Sequence, residues 1–159
     1  MDKFDTQSDR KLCMVVSRGT LDGAYPALIM ANAAAAEGID THLFFTFWGM
    51  DVITDKKMDK MVVTPVGNTS MPIPQALAPL PGMSTMATKM MKKQMADLDV
   101  PDVREFMEML RDMGVTMWAC RMSVDMMGLG MDDFFDGVKD IISAGDFMEL
   151  NEGGQVMFA

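Results

Sequence analysis

Cysteine and histidine are scarce in this 159-residue sequence, which has two cysteines and one histidine. The cysteines, Cys13 and Cys120, form no Cys-x-x-Cys pair, so the sequence contains neither a zinc motif nor a disulfide framework. Such sparse cysteine usage suits a reducing compartment. His42 stands without a second histidine, which leaves almost no material for Ser-His-Asp or Cys-His catalysis. We therefore interpret His42 as structural and predict neither a metal site nor a cofactor.

Basic charge and long apolar runs are also missing. The formal net charge is −9, so the sequence lacks the basic surface that nucleic-acid binding requires. No apolar run reaches the roughly 18 residues of a membrane-spanning helix, although 49% of the residues are hydrophobic. Residues 1–10 are polar and charged, unlike a signal peptide, and are predicted to form a mobile tail. We expect a cytoplasmic protein in which residues 11–159 form a single α/β domain.

Apolar runs that alternate with helical patterns predict the α/β class. An apolar run at 11–17, a helix at about 22–37 and a second apolar run at 41–47 have the length of a βαβ unit with parallel strands. Asp22 is the expected N-cap of that helix, which places Pro26 in the first turn, where its missing N–H costs little. The other predicted elements are helices at 101–113, 123–127 and 145–151 and strands at 115–119, 138–142 and 155–159. Together they predict a sheet of about five mostly parallel strands with helices on both faces.

Residues 61–96 interrupt this alternation and are predicted to be a Pro/Met-rich insertion. Five prolines fall within residues 61–82, and no acidic residue lies between Asp59 and Asp97. Residues 83–96 read as a helix with three lysines on one face. The opposite face is expected to be apolar and to contain Met83, Met86, Ala87, Met90 and Met91. We expect this face to be buried against the core or a second subunit; the alternatives are a partner contact, a membrane-surface contact and Cu(I) binding by methionine sulfur. Three lysines are few for a membrane surface, so a membrane contact is not expected.

The stretch from Val115 to Gly128 carries the best candidate for chemistry. It reads as a buried strand, then Cys120, then a turn of helix. A thiol there lies at the carboxyl end of a strand and just before a helix N-terminus, where unpaired N–H groups favour negative charge. Such a position lowers the pKa of a cysteine and makes the thiolate nucleophilic, and Arg121 would add to this effect. The alternative is that Cys120 is a small buried residue that ends a core strand.

Three strings of the sequence together resemble the DsrE/DsrF/DsrH-like family. They are Ser17-Arg-Gly-Thr-Leu-Asp22, Leu43-Phe-Phe-Thr-Phe-Trp-Gly49 and Trp118-Ala-Cys-Arg-Met-Ser-Val-Asp-Met-Met-Gly128. Within the family, the chain is most similar to the DsrE2 branch, and the resemblance covers residue 11 onward. It implies a flavodoxin-like three-layer α/β sandwich, homo-oligomeric assembly and the handling of sulfane sulfur on a cysteine, which maps onto Cys120.

The function implied by this resemblance is that of a sulfurtransferase or a persulfide carrier. Cys120 would take up sulfane sulfur and pass it to a small sulfur-carrier protein or another thiol acceptor. Loops after the first three strands would form the pocket, with the candidate residues Arg18, Gly19, Trp48, Gly49, Arg121 and Ser123. Arg18 is a candidate for holding an anionic donor such as thiosulfate; the alternative is a solvated surface side chain.

A second thiol is not expected to take part. If the first and third strands are neighbours, Cys13 lies about 13 Å below the level of Cys120, whereas a disulfide needs Cα atoms within about 7 Å. We therefore expect Cys13 to be a core residue and Cys120 to work as a single thiol. The competing functional hypothesis is a non-enzymatic protein-binding module that docks through its Met-rich segment.

Overall fold

The fold is built on one parallel five-stranded sheet in the strand order β4-β3-β2-β1-β5. The structure is a computed structural model, and it describes residues 10–159. The strands are β1 (Lys11–Val16), β2 (Asp40–Phe45), β3 (Thr116–Cys120), β4 (Val138–Ile142) and β5 (Gln155–Phe158). All four strand pairs are parallel, which confirms the predicted flavodoxin-like α/β sandwich. The predicted tail lies outside the described residues except for Arg10.

Seven helices connect these strands within residues 10–159. They are α1 (Leu21–Ala36), α2 (Met50–Ile53), α3 (Asp55–Met58), α4 (Met83–Ala96), α5 (Val103–Asp112), α6 (Arg121–Met127) and α7 (Ala144–Leu150). Short 3-10 turns occupy Phe47–Gly49 and Met131–Asp133. None of the helices in this part of the chain is both long and apolar enough to cross a membrane.

Helices cover both faces of the sheet because successive strand residues point to opposite sides. On the first face, side chains such as Met14, Phe45 and Met117 join α1 and α5 in the larger hydrophobic core. On the second face, Cys13, Val15, Phe44 and Cys120 pack with Phe147 of α7 in a smaller cluster. The connection from β4 to β5 runs back across the whole sheet, and a right-handed crossover in that direction requires α7 to lie on the second face.

Three predicted helix starts need correction. The N-cap of α1 is Thr20, not Asp22, because the Thr20 hydroxyl accepts the Gly23 N–H at 3.2 Å. Pro26 is therefore the sixth helical residue rather than part of the first turn. Similarly, α5 starts at Val103 because the Asp102 side chain caps it. Finally, α6 starts at Arg121, two residues earlier than expected, so that Cys120 itself is the N-cap residue.

The insertion packs against the main core of the protein through Met61 and Val63 at its start and through Ala87 of its helix, α4. Thr88 is buried, and its hydroxyl accepts the Val63 N–H at 2.8 Å. The expected apolar face of α4 is only partly right. Ala87 is buried and Met91 packs against the core, but Met86 and Met90 are exposed. The buried stripe is rotated away from these two methionines because Thr88 lies inward.

Candidate functional site

Cys120 occupies the position that the sequence predicts, at the carboxyl end of β3 and the start of α6. Its backbone is extended, with φ −73° and ψ 120°, and α6 begins at the next residue. Only 4% of the residue is exposed to solvent. The thiol is therefore recessed beneath the loops that follow the neighbouring strands, and its environment is set by those loops.

The surroundings of Cys120 favour its thiolate. Burial is the largest single influence and raises the pKa of the thiol, but four hydrogen bonds to the sulfur act in the opposite direction. The donors are the Thr46 hydroxyl, the Ser123 hydroxyl and the backbone N–H groups of Ser123 and Met122. Together they outweigh burial, so the pKa of Cys120 is lowered from its ordinary value. The two N–H groups belong to the first turn of α6, where helix geometry leaves them without intrahelical partners.

Ser123 connects the thiol to the loop after β2. Its side chain is fully buried, and its hydroxyl oxygen accepts the Phe47 N–H at 2.8 Å and lies 3.1 Å from the Thr46 hydroxyl oxygen. Phe47 has a positive φ of 47°, which a non-glycine residue rarely adopts. This conformation belongs to the turn that directs the Phe47 N–H at Ser123. Backbone strain of this kind is common next to functional groups.

Gly19 and Gly49 let the loops after β1 and β2 pack backbone to backbone. A Cβ at Gly49 would lie 2.1 Å from the Val16 carbonyl oxygen, and one at Gly19 would lie 2.3 Å from the Trp48 carbonyl oxygen. Neither position therefore has room for a side chain. Both residues hold the loop that carries Thr46 against the end of β1. The Trp48 side chain is 64% exposed and projects from this loop.

The two arginines proposed for the pocket have different surroundings. The Arg121 guanidinium donates a hydrogen bond to the Ile141 carbonyl oxygen at 2.8 Å, on the neighbouring strand β4. Arg18 is exposed, and its aliphatic stem passes over Gly23 in the first turn of α1. The hydrogen bonds that lower the pKa of Cys120 come from hydroxyl and backbone N–H groups, so they do not require either guanidinium.

Cys13 lies too far from Cys120 to form a disulfide with it. The strands β1 and β3 are not neighbours, because β2 lies between them. Cys13 pairs with His42, and His42 pairs with Thr116, four residues before Cys120. Two strand spacings and four residues of rise put the two cysteine Cα atoms about 16 Å apart. Cys13 is completely buried, and burial raises the pKa of its thiol.

His42 is buried beside Trp118 on the second face of the sheet. Its Nδ1 accepts the Trp118 Nε1–H at 3.3 Å, while Nε2 lies 3.1 Å from a carboxylate oxygen of Asp40 at an angle unsuitable for a hydrogen bond. Trp118 is half-buried and carries Lys139 over its ring at 5.1 Å. These contacts give His42 a packing role, as the sequence suggests. Within residues 10–159, no group of three or more His, Cys, Asp or Glu side chains is arranged to hold a metal ion.

Thr46 belongs to the site, but it is not among the pocket residues predicted from the sequence. The last paired residues of β2 and β3 are Phe45 and Ala119, so the next residues along the two strands, Thr46 and Cys120, lie side by side. The available signal was a hydroxyl near the carboxyl end of the second predicted strand, at 41–47. It becomes specific only when the strand order places β2 next to β3.

A sequence profile of the DsrE/DsrF/DrsH-like family matches residues 8–158. The chain belongs to this family. Among curated proteins, it is 38% identical over 138 residues to the sulfur carrier protein DsrE2 of Allochromatium vinosum, covering 82% of this chain and 86% of that protein. This similarity places the chain in the DsrE2 branch of the family. It is also 26% identical over 163 residues to the uncharacterized protein YrkE of Bacillus subtilis, covering 96% of this chain and 99% of the relative.

Solved structures support the same fold for this DsrE-like chain. A protein of unknown function, MTH1491 from Methanobacterium thermoautotrophicum, superposes with a TM-score of 0.61 at 13% identity, covering 95% of this chain and all of that one. The ychN protein from E. coli superposes with a TM-score of 0.52 at 12% identity, covering 94% and 99%. At these identities the likeness concerns the fold.

Proposed function

We propose that this protein is a sulfur carrier that holds sulfane sulfur as a persulfide on Cys120. The observation that carries the proposal is the recessed position of Cys120 at the carboxyl end of β3 and the start of α6, where neighbouring hydroxyl and N–H groups lower the pKa of its thiol. Thiolates, not thiols, attack sulfur, so a site that lowers the pKa of a cysteine suits a nucleophilic role. Membership of the DsrE2 branch and the 38% identity to a protein named as a sulfur carrier support the same role.

Loading requires one nucleophile and no change in overall oxidation state. The Cys120 thiolate attacks the outer sulfur of a donor persulfide, R–S–SH, and a new S–S bond forms. The S–S bond of the donor breaks, and the donor leaves as the thiol R–SH after its sulfur takes the proton. Cys120 then carries the persulfide as its anion. Activation of the nucleophile does not have to come from a histidine base, because the surroundings of Cys120 lower the pKa of its thiol.

Unloading reverses these roles with a second thiol. The thiolate of an acceptor, proposed to be a small sulfur-carrier protein or another protein thiol, attacks the outer sulfur of the Cys120 persulfide. The S–S bond breaks, and Cys120 leaves as a thiolate. The donors from Thr46, Met122 and Ser123 then stabilise the leaving group. A thiol with a lowered pKa is a faster leaving group, so the same hydrogen bonds assist both halves of the cycle.

Mass spectrometry of the intact protein tests the proposal. The protein is incubated with glutathione persulfide, the excess donor is removed, and the mass is compared before and after reduction. We expect one reducible added sulfur atom on the wild-type protein and none on Cys120→Ala. Cys13→Ala is the matched control, because it removes the other thiol, and it should load as the wild type does. A wild-type protein that takes up no sulfur, or a Cys120→Ala variant that loads normally, would contradict the proposal.

The pocket role of Arg18 can be tested in the same experiment. If Arg18 holds an anionic donor, Arg18→Ala should slow loading from thiosulfate while leaving loading from cysteamine persulfide unchanged, because the ammonium group of that donor removes its net negative charge. Arg10→Ala is a matched control, since it removes an exposed arginine at the start of β1. Equal loading from both donors would show that Arg18 is a solvated surface residue.

A protein-binding module without sulfur chemistry is the second candidate function. The exposure of Met86 and Met90 on α4 favours it, because exposed methionines are common on adaptable binding surfaces. The two functions differ in the state of Cys120. Alkylation of Cys120 that becomes rapid only at or above the ordinary thiol pKa would favour the binding module.

A further inference from the structure

Two exposed helix stripes in this protein share one pattern and carry opposite charges. One is Met86-x-x-Lys89-Met90 on α4, and the other is Met122-x-x-Asp125-Met126 on α6. The spacing i, i+3, i+4 puts all three side chains of a stripe on one side of its helix. The α4 methionines are 52% and 37% exposed, those of α6 are 59% and 55% exposed, and both charged residues are exposed. Since each stripe faces solvent, the two do not cover each other within one chain.

The charge of the whole chain is divided in the same way. Residues 60–96 contain four lysines and no acidic residue, which gives this segment a formal charge of +4. Because the complete chain carries −9, the remainder carries −13. The α4 stripe belongs to the basic segment and the α6 stripe to the acidic remainder. A basic, methionine-bearing surface on one copy therefore finds its electrostatic complement on another copy of the same chain.

We propose that α4 of one copy docks on α6 of a second copy through these two stripes. In an antiparallel arrangement, Lys89 pairs with Asp125 of the other copy, and the flanking methionines pack against one another. An anionic lipid surface would attract Lys89 but repel Asp125, and it would leave the matching α6 stripe without a partner. A second copy offers each stripe a partner of opposite charge, and every stripe is paired when the contact repeats in a closed assembly of copies.

This contact would also bear on the candidate site. Helix α6 begins directly after Cys120, and the backbone N–H of Met122 is one of the donors to the sulfur. A neighbouring copy seated on the Met122 side chain therefore lies at the rim of the recess that holds the thiol. The proposal concerns assembly, and it holds or fails independently of whether Cys120 carries sulfur.

Charge exchange between the two stripes provides the test. Lys89→Asp and Asp125→Lys each place like charges opposite one another, whereas the combined variant restores an opposite pair with reversed polarity. Sedimentation velocity over a range of protein concentrations measures the association constant. We expect each single variant to associate at least about tenfold more weakly than the wild type, because opposed like charges at an interface cost several kcal/mol. The combined variant should recover most of the loss.

Matched controls separate the contact from a change in net charge. Lys56→Asp and Glu149→Lys alter exposed residues on α3 and α7 by the same charge, and they should leave association unchanged. Lys92 is kept in all variants because its charge helps to lower the pKa of Asp59. Raising the salt concentration should weaken wild-type association, since surface charge pairs are screened. Circular dichroism confirms that each variant is folded.

Three results would overturn the proposal. The first is a wild-type protein that remains monomeric at every concentration, whether or not it binds anionic phosphatidylserine vesicles. Another is association that both single variants retain. The third is a combined variant that is no better than the single variants, which would show that Lys89 and Asp125 act on separate partners.

Discussion

Replacement of Thr46 by valine isolates the contribution of one hydrogen bond to the state of Cys120. Valine keeps the shape of threonine and suits the extended backbone of this residue, where φ is −139° and ψ is 157°. The change removes a hydroxyl that donates to the Cys120 sulfur and lies 3.1 Å from the Ser123 hydroxyl. Ser123 keeps its bond from the Phe47 N–H, so the rest of the network is preserved.

The magnitude follows from the charge of the acceptor. A hydrogen bond to a charged group contributes about 1.5–3 kcal/mol, and about 1.4 kcal/mol corresponds to a factor of ten in an equilibrium constant. The thiol form also loses a bond, of about 1 kcal/mol, so the differential loss is about 0.5–2 kcal/mol. At a fixed pH, Thr46→Val should therefore reduce the ratio of thiolate to thiol at Cys120 by about two- to thirtyfold. In the thiol form the lost bond is neutral, and the expected cost to folding is about 1 kcal/mol.

The sign of the pH dependence follows from the lowered pKa of Cys120. A thiolate that the folded state favours contributes stability above the pKa of the unfolded thiol, and this contribution is lost as the pH falls through the folded-state pKa. Thr46→Val should therefore lose more unfolding free energy relative to the wild type above about pH 9 than at about pH 6. Thr46→Ser keeps the hydroxyl and should behave like the wild type at both values.

Alkylation by iodoacetamide as a function of pH measures the effect in a Cys13→Ala background, where Cys120 is the one thiol. We expect Thr46→Val to move the midpoint of the rate profile to higher pH. The limiting rate at high pH should change little, because valine blocks the recess no more than threonine does. A midpoint that stays in place while the limiting rate changes would refute the reasoning, since it would mean that Thr46 controls access rather than ionisation.

Other residues give predictions of a different kind. Gly49→Ala should lower the unfolding free energy by about 2 kcal/mol or more in thermal denaturation, because the added Cβ meets the Val16 backbone; an unchanged melting temperature would contradict the close approach. Phe47→Gly should be about 1 kcal/mol more stable than Phe47→Ala, since glycine adopts the positive φ without strain; chemical denaturation measures the difference, and equal stabilities would exclude strain. Arg104→Met should lower the unfolding free energy by about 1 kcal/mol at neutral pH and by almost nothing below about pH 3. The reason is that Arg104 lowers the pKa of Asp59, and this carboxylate is neutralised as the pH falls. Urea unfolding measures the loss at both pH values, and an equal loss at both would contradict a role for the ion pair.

The position of Cys120 could be predicted because it depends on local pattern. The end of a strand is recognisable from a short apolar run followed by a small residue and a helical pattern, whatever the order of the strands in the sheet. The structure places Cys120 at such a strand end. Met122 and Ser123 are local partners of Cys120, but its partner from another strand depends on strand order, which local pattern does not contain. Thr46 becomes a neighbour only because β2 lies beside β3.

Side-chain direction is another property that local pattern does not contain. Arg18 and Arg121 follow the predicted strands, but the rotamers of such long side chains depend on tertiary surroundings, and the Arg121 guanidinium donates to Ile141 on β4. The same applies to α4, where the sequence identifies an amphipathic helix. One buried hydroxyl, on Thr88, sets which side faces inward and leaves Met86 and Met90 in solvent. Periodicity predicts that a helix has an apolar side. How the helix is rotated about its own axis, and so which residues of that side are buried, depends on tertiary hydrogen bonds.

The seven-residue helix α7 has a consequence for the dynamics of the protein. Its residues Phe147 and Leu150 lie over the cluster that contains Cys13, and the Lys11 ammonium donates to the Leu150 carbonyl oxygen at 2.8 Å. A short helix with few anchoring contacts opens at a lower free energy than the core of a domain. In the native Cys120→Ala protein, the rate at which a thiol reagent labels Cys13 would therefore measure how often α7 detaches from the sheet. The buried second cysteine can thus serve as a probe of local unfolding.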